Sequence, residues 1–306
     1  MNCTHFFDGV CVESTDLPWY YSYKPSLIDG VSDHHLALAA PIIAYWLLSL
    51  FFHYLDSRDW KVLERYRIHP STEVASRNQV SHAAVIQAVV FQHILQTVLG
   101  IFWMDDKPSM VANHAEMVSR IARLFALVVS SEQASRLAYF VYWWAIPLLQ
   151  LLVAIFVIDT WQYFLHRYMH MNKFLYRHFH SWHHRLYVPF AFGALYNHPV
   201  EGFLLDSLGT VVAQSLSGMS TRQAAILFSL ATFKTVDDHC GYRFPFDPLQ
   251  MISKNNADYH DIHHQKIGIK SNFAQPFFIH WDHLLGTQMT RQDLELRREN
   301  VKGKTE

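Results

Sequence analysis

Two long stretches of this chain contain no charged side chain, and they constrain its fold more than any other feature. The first runs from Leu36 to Leu55 and the second from Ala138 to Ile158. An α-helix rises about 1.5 Å per residue and a bilayer core is roughly 30 Å thick, so each stretch is long enough to cross it. The sequence therefore predicts an all-α, multi-pass integral membrane protein.

A third run without Asp, Glu, Lys or Arg, from Val80 to Trp103, carries polar side chains along one face. Gln92, His93 and Gln96 recur there at helical spacing. A membrane helix of this kind is stable when its polar face points into a bundle instead of into lipid. We therefore interpret residues 36–158 as transmembrane helices with their connecting loops.

The distribution of lysine and arginine predicts the orientation. Residues 1–35 contain only Lys24, whereas the loop 56–79 contains five basic residues. Short basic loops of membrane proteins face the cytosol, so the segment 1–35 is predicted to be lumenal. The third span then returns to the cytosol, which places the histidine-rich region 159–290 and the tail 291–306 on the cytosolic side.

Other segments are predicted to touch the membrane without crossing it. Met110 to Val129 is amphipathic, which is typical of a helix that lies along the interface. Phe203 to Leu216 and Gln223 to Phe233 are apolar, but each is too short to cross alone. We expect the last two to form a re-entrant helical hairpin that enters the membrane and returns to the cytosol.

The last five residues, Lys302-Gly303-Lys304-Thr305-Glu306, resemble the KxKxx retrieval signal of endoplasmic reticulum proteins. A charged, frayed tail is the alternative interpretation. With the predicted spans, the motif favours a location in the endoplasmic reticulum membrane. The net charge of −1 argues against a nucleic-acid partner.

Histidine is unusually frequent, and most of the 21 histidines lie in the second half of the chain. Three clusters stand out there, an HxxxH followed by two HxxHH. They are His166 and His170, then His180, His183 and His184, then His260, His263 and His264. Helical positions i, i+3 and i+4 share a face, so each cluster can direct two or three imidazoles to one metal region.

Metal coordination explains these clusters better than packing does. Burying so many unpaired imidazoles would cost about 1 to 3 kcal/mol each, and bound metal removes that cost. The eight rings are too many for one ion, so the sequence predicts a di-metal site on the cytosolic face. Neighbouring carboxylates are expected to orient the rings. The candidates are Asp159, Asp237, Asp238, Asp258, Asp261 and Asp282.

The ligand type leaves zinc, copper and iron open. A zinc hydrolase normally has three protein ligands and a nearby carboxylate base, whereas this histidine excess beside a membrane favours oxidation of a hydrocarbon by iron and dioxygen. A membrane metal transporter is a remote alternative, because intramembrane histidines can line ion paths. The clusters follow the third span, however, and do not occupy mid-span positions in several helices.

The order HxxxH, HxxHH, HxxHH among hydrophobic segments resembles the fatty acid hydroxylase and sterol desaturase superfamily of non-haem di-iron membrane enzymes. The resemblance covers about residues 155–290, and within the superfamily it is greatest to the sphinganine C4-hydroxylases. It includes Tyr196-Asn197-His198-Pro199-Val200-Glu201, Asp238-His239-Cys240-Gly241-Tyr242 and Trp281-Asp282-His283-Leu284-Leu285-Gly286-Thr287. Where members commonly have arginine, this chain has His283.

The resemblance implies two iron ions with ligands from the three clusters and from His239, while His198 is either a further ligand or a residue that contacts one. His178, His280 and His283 receive no metal role. The complete predicted set is His166, His170, His180, His183, His184, His239, His260, His263 and His264, with His198 as a tentative tenth ligand.

The resemblance also implies a reaction, the hydroxylation of sphinganine or dihydroceramide at C4 to give phytosphingosine. Dioxygen would be the co-substrate, and NADPH or NADH would supply electrons through an external reductase and cytochrome b5. Sterol desaturation, sterol C4-methyl oxidation and sphingoid-base desaturation stay open, because they begin with the same hydrogen abstraction.

Overall fold

Helices make up nearly all of the regular structure in the computed structural model. The described residues are 3–7, 10–13, 18–22, 24, 26–58, 60–103 and 114–303. The helices are α1 (Asp33–Asp56), α2 (Lys61–Glu64), α3 (Ser71–Arg77), α4 (His82–Trp103), α5 (His114–Phe125), α6 (Ser131–Phe140), α7 (Ile146–Met171), α8 (Lys173–His178), α9 (Pro199–Gly202), α10 (Gly209–Ser217), α11 (Thr221–Asp238), α12 (Pro248–Ile252), α13 (Ala257–His264), α14 (His280–Leu284) and α15 (Arg291–Lys302).

Shorter elements complete the architecture. π-Helical turns at Val141–Ala145 and Phe203–Leu208 join α6 to α7 and α9 to α10. Two 3₁₀ turns cover His180–Arg185 and Ala191–Leu195. Strands β1 (Cys3–Phe7) and β2 (Val10–Glu13) form an antiparallel hairpin, which the all-helical prediction did not include.

The three predicted spans correspond to helices that are long and apolar enough to cross a membrane. They are α1, α4 and the continuous helix Ser131–Met171. The third is 41 residues long, which at about 1.5 Å per residue is well beyond the roughly 30 Å of a bilayer core. One helix can therefore cross the membrane and still place His166 and His170 beyond the edge of the bilayer core.

Helix α11 lies beside α1, and the two point in the same direction. At one end the Arg222 guanidinium donates to the Asp33 carboxylate at 2.6 Å. At the other end, just after α11, the Tyr242 hydroxyl donates to the Asp56 carboxylate at 2.8 Å. The ends of α11 are thus level with the ends of a complete membrane helix.

The two arms of the predicted hairpin are helices, and both are longer than the apolar runs that predicted them. Residues 199–217 form one continuous helix across the π-turn, and Gly218 ends it with a positive φ of 65°. Ser220 then caps α11 by accepting the backbone N–H of Gln223. Asp206 was expected to interrupt the first arm. It fits within the helix because its side chain faces an internal cavity and accepts a hydrogen bond from Gln92.

The first arm of the hairpin runs antiparallel to α7. The Gln150 amide donates to the Gly218 carbonyl at 2.8 Å, and the Trp161 indole donates to the Leu204 carbonyl at 2.8 Å. The start of α7 and the hairpin tip therefore lie at the same end of the bundle. The end of α7, which carries the first histidine cluster, lies near the base of the hairpin.

The amphipathic segment before the third span forms α5 over part of its predicted length, and residues 110–113 lie outside the described part. Val118 and Ala122 are buried against α6, whereas Met117 and Leu124 are exposed. An unpartnered apolar face of this kind fits a helix lying along the membrane interface. The predicted retrieval signal is not described beyond residue 303.

The basic loop 56–79 packs on the same face as the third histidine cluster. The Ile68 N–H donates to the Gly241 carbonyl at 3.0 Å, and His69 Nε2 lies 2.8 Å from the Asp261 carboxylate on α13. The loop that the charge distribution assigns to the cytosol and the histidine-rich region therefore share one side of the molecule.

His69 links this loop to α13, and we expect it to make stability depend on pH. Burial alone would lower the pKa of His69, but hydrogen bonds and charge from Asp261 and Glu73 raise it above its ordinary value. A raised folded-state pKa contributes stability that is present below about pH 6.5 and is lost as the pH rises through the folded value.

The melting temperature of the detergent-solubilised protein should therefore fall between about pH 6 and pH 8, and His69→Gln should flatten that fall. His283→Gln, a change at an exposed histidine, is the control and should keep the wild-type profile. An unchanged slope in His69→Gln would assign the pH dependence to other groups.

Candidate metal centre

Nine histidines converge in two neighbouring groups, and they are the nine firmly predicted ligands. Within each group the facing nitrogen atoms all lie within 4.8 Å of one another. The five-histidine group is His166, His170, His180, His184 and His263, and the four-histidine group is His183, His239, His260 and His264.

Each HxxHH cluster is divided between the two groups, which corrects the expectation that one cluster faces one metal region. In the cluster on the 3₁₀ turn, the first and last histidines join the five-histidine group and the middle one joins the four-histidine group. The cluster on α13 has the opposite assignment. At about 100° per residue, positions i+3 and i+4 of an α-helix point roughly 100° apart, so they can serve neighbouring sites.

The outer nitrogen of most of these rings lies against a fixed oxygen. An Nδ1 that donates its proton outward leaves the Nε2 lone pair bare and facing the centre, which is the tautomer that binds metal. The pairs are His166 with the Phe273 carbonyl at 2.9 Å, His263 with Ser271 at 2.7 Å, His264 with Leu186 at 2.7 Å, His239 with Thr235 at 2.8 Å, His183 with Tyr196 at 3.3 Å, and His180 with the Glu201 carboxylate at 2.5 Å.

The inner nitrogens are spaced as ligands of a cation. His166 Nε2 and His180 Nε2 lie 3.1 Å apart, and the Nδ1 atom of each ring lies against an oxygen that can accept its proton. His183 Nε2 and His239 Nε2 lie 3.4 Å apart, and each Nδ1 atom again lies against a carbonyl oxygen. Two bare lone pairs at this distance repel each other unless a cation lies between them. For a metal–nitrogen bond of about 2.1 Å, ligands at right angles are roughly 3.0 Å apart.

Eight of the nine rings are buried, and burial favours the neutral form that binds metal. Burial lowers the pKa of His180 and of His263 to about 3, and that of His183 to about 4. The Nε2 atom of His263 is buried with no hydrogen-bond partner in the described structure. Leaving it so would cost about 1 to 3 kcal/mol, whereas coordination satisfies it. The donor set therefore fits two metal ions.

Glu201 is the carboxylate that touches a ligand, and sequence reasoning did not single it out. It is fully buried, and Oε1 accepts from His180 Nδ1. It stands three residues after His198 in the quoted His-Pro-Val-Glu motif, which carried the signal that could have identified it.

The six aspartates expected to orient the rings do not do so directly. Among the described residues, none of the six hydrogen-bonds to a histidine of either group. Asp282 instead accepts from the Phe273 and Ala274 N–H groups, and Asp159 accepts from the N–H groups of residues 277 and 278. Asp282 thereby fixes Phe273, whose carbonyl holds the His166 ring.

The remaining histidines lie outside both groups. His198, the tentative ligand, accepts the Val200 N–H at Nδ1 and packs its ring against Phe179 and Trp182. It caps the helix that carries Glu201. His178, His280 and His283 are also in neither group.

We expect Glu201→Gln to weaken metal retention by about 10- to 100-fold, the usual effect of losing a partner that orients a ligand. The amide keeps an acceptor for His180 Nδ1 but loses the charge that increases ring basicity. Metal content after dialysis against graded chelator measures the effect. Glu295→Gln, at an exposed position, should behave as wild type, and equal retention in both variants would contradict the role of Glu201.

The catalytic half of the chain matches a known family. The sequence profile described as fatty acid hydroxylase matches residues 151–287, a range that contains all nine histidines. No solved structure matches the chain.

Curated relatives align over most of the chain. The sphingolipid C4-hydroxylase of Saccharomyces cerevisiae is 50% identical over 264 residues, which cover 86% of this chain and 74% of the yeast protein. Sphinganine C4-monooxygenase 1 of Arabidopsis thaliana is 46% identical over 260 residues, covering 85% and 89%. A protein of Oryza sativa subsp. indica named very-long-chain aldehyde decarbonylase is 42% identical over 261 residues, covering 85% and 90%.

Proposed function

The chain belongs to the fatty acid hydroxylase family, and we propose that it is a sphinganine C4-monooxygenase that converts sphinganine or dihydroceramide into the 4-hydroxy form. The observation that carries the proposal is the buried pair of histidine groups at the end of a helix long enough to cross a membrane. The relatives named for C4 hydroxylation support the choice of substrate and carbon.

We propose that each histidine group holds one iron ion. Iron would supply the activation of dioxygen that removes hydrogen from C4 and returns a hydroxyl group to it. The chain's own residues set up this chemistry: the carbonyls of residues 271 and 273 and the Glu201 carboxylate hold the rings in the ligand tautomer. Burial of His166 and His263 keeps water from the inner nitrogens.

We propose that the electrons come from NADPH or NADH through a separate reductase and cytochrome b5. The chain lacks an HPGG haem motif, since its His-Pro pairs are His69-Pro70-Ser71 and His198-Pro199-Val200. The four-histidine group lies on the same face as the basic loop 56–79. A soluble haem domain on that face would approach the metals without crossing the membrane.

We propose that the protein resides in the endoplasmic reticulum membrane with the metal centre facing the cytosol. The positive-inside rule and the shared face of the basic loop and the clusters support this orientation. An epitope in the exposed helix α15 should be digested by protease added to intact microsomes. Protection of the epitope would mean that the orientation is the opposite of the one proposed.

Lipid analysis tests the reaction. Expression in cells lacking phytosphingosine should produce a base that carries one additional oxygen atom at C4. A base that has lost two hydrogens instead would indicate desaturation, and an altered sterol pool without 4-hydroxy base would indicate a sterol substrate. Alkane formed from long-chain aldehyde would favour the reaction named for the rice relative.

A further inference from the structure

A cavity of about 170 Å³ lies among α1, α4, α7 and the two arms of the hairpin, and it is partly open to the exterior. Apolar side chains such as Leu38, Pro41, Ile42 and Phe228 form much of its wall. Such a lining suits a hydrocarbon chain, and the opening lets a long tail continue into lipid.

Two residues of the cavity wall lie close in sequence to ligands of the metal centre. Gln162 lines it and lies one helical turn before His166, while Thr235 lines it and lies one turn before His239. The Thr235 carbonyl itself accepts from His239 Nδ1 at 2.8 Å. A turn of α-helix rises about 5.4 Å, so these wall residues lie about that far along their helices from a ligand of each histidine group.

Asp206 is the only carboxylate in the described lining of this cavity. It lies in the π-turn that follows Glu201, and π-turns are frequent at functional sites. Its side-chain hydrogen bond in the described structure comes from the Gln92 amide, at the long distance of 3.4 Å. The carboxylate therefore faces the cavity with most of its acceptor capacity unused.

No cation of the described lining balances this charge, since the lining contains neither lysine nor arginine. Gln92 adds a second unused group, because it is 2% exposed and its Oε1 atom is buried without a hydrogen-bond partner. Gly202 makes room for that amide, since a Cβ there would lie 2.6 Å from Gln92 Nε2. A carboxylate in such surroundings is unfavourable unless a cationic group reaches it.

We propose that Asp206 binds the ammonium group of a long-chain base, and that the preferred substrate is therefore the free base and not its N-acylated form. This inference rests on the proposed function. The ammonium group is carried by C2 and the reacting carbon is C4, two carbons along the chain. An ion pair at Asp206 would fix the position of C4 relative to the neighbouring histidine groups.

The same carboxylate discriminates against the other lipid classes. A ceramide carries a neutral amide at C2, so its head group would leave Asp206 uncompensated. Sterols and aldehydes have no cation to offer. Asp206 would thus select by charge, while the apolar wall accepts the tail of any long-chain lipid.

The test is equilibrium binding of radiolabelled sphinganine and of a short-chain dihydroceramide to the purified full-length protein in detergent, without reductant. Wild type should bind sphinganine at least about 10-fold more tightly than the ceramide. Asp206→Asn should lose that preference by weakening sphinganine binding about 10-fold. Asp206→Glu, which keeps the charge, should retain most of it.

Asp29→Asn, the same change at an exposed aspartate outside the cavity lining, is the matched control and should leave both affinities unchanged. Equal binding of the two lipids by wild type, or unchanged sphinganine binding in Asp206→Asn, would overturn the proposal. An equal loss for both lipids in all Asp206 variants would do the same, because it would indicate a structural role. Binding decides this inference, whereas product analysis decides the proposed reaction, so the two can fail separately.

Discussion

His263→Ala is expected to reduce 4-hydroxylation to background while the protein remains inserted in the membrane. The His263 ring is fully buried, its Nδ1 is held by the Ser271 carbonyl at 2.7 Å, and its Nε2 faces the five-histidine group without another partner. Removing it deletes one nitrogen of a metal site. We expect a loss of at least about 100-fold, the upper end of the effect for residues that only orient ligands.

The measurement is the amount of 4-hydroxy base per amount of membrane-extracted protein, together with iron content of the purified variant. His178→Ala is the matched control, because His178 is exposed, lies close in sequence to the second cluster and is in neither group. It should retain activity within about twofold. Full activity in His263→Ala would exclude this residue as an essential ligand.

The candidate spans and the histidine clusters were the parts of the molecule that sequence reasoning could reach. Uncharged stretches identify membrane helices because the cost of burying charge in lipid is large and local in sequence. The three histidine clusters were equally visible, since ligands at i, i+3 and i+4 leave a repeated pattern. His239 lacks such a pattern, and only the family resemblance selected it before the structure placed it in the four-histidine group.

The division of the ligands and the contacts that orient them could not be read in the same way. His183 and His263 each belong to a different group from the other histidines of their own cluster. That assignment depends on how α7, α13 and the 3₁₀ turn are placed relative to one another. The backbone carbonyls that hold the rings leave no signature in side-chain identity. Aspartates close in sequence were the expected partners, but Asp159 and Asp282 accept backbone N–H groups of the 273–278 segment instead.

The helices of the hairpin are longer than the apolar runs that predicted them, for a related reason. Each apolar run is short, and Asp206 lies within the first. In the structure Arg222 pairs with Asp33 at the far end of α1, and Asp206 faces the cavity. Contacts with residues distant in sequence therefore allow polar side chains within a helix. The composition of the segment alone would predict that the helix ends earlier.

Asp282 is the residue whose loss should affect the fold most among the buried carboxylates around the centre. It is completely buried and receives four hydrogen bonds. The donors are the Phe273 N–H at 3.0 Å, the Ala274 N–H at 2.8 Å, the Tyr259 hydroxyl at 2.9 Å and the Thr287 hydroxyl at 2.6 Å. Asp282 thus joins α13 to the segment whose carbonyls hold His166 and His263.

Asp282→Ala should destabilise the protein by about 2 to 6 kcal/mol, because two buried N–H groups lose their acceptor at about 1 to 3 kcal/mol each. Iron content should fall with stability, since the Phe273 carbonyl that holds His166 Nδ1 loses its anchor. Thermal melting and iron content of the solubilised variant measure the two effects. His283→Ala, an exposed neighbour on α14, is the control and should change neither. A variant that melts as wild type yet loses iron would instead mean that Asp282 acts on the metal centre alone, without a role in stability.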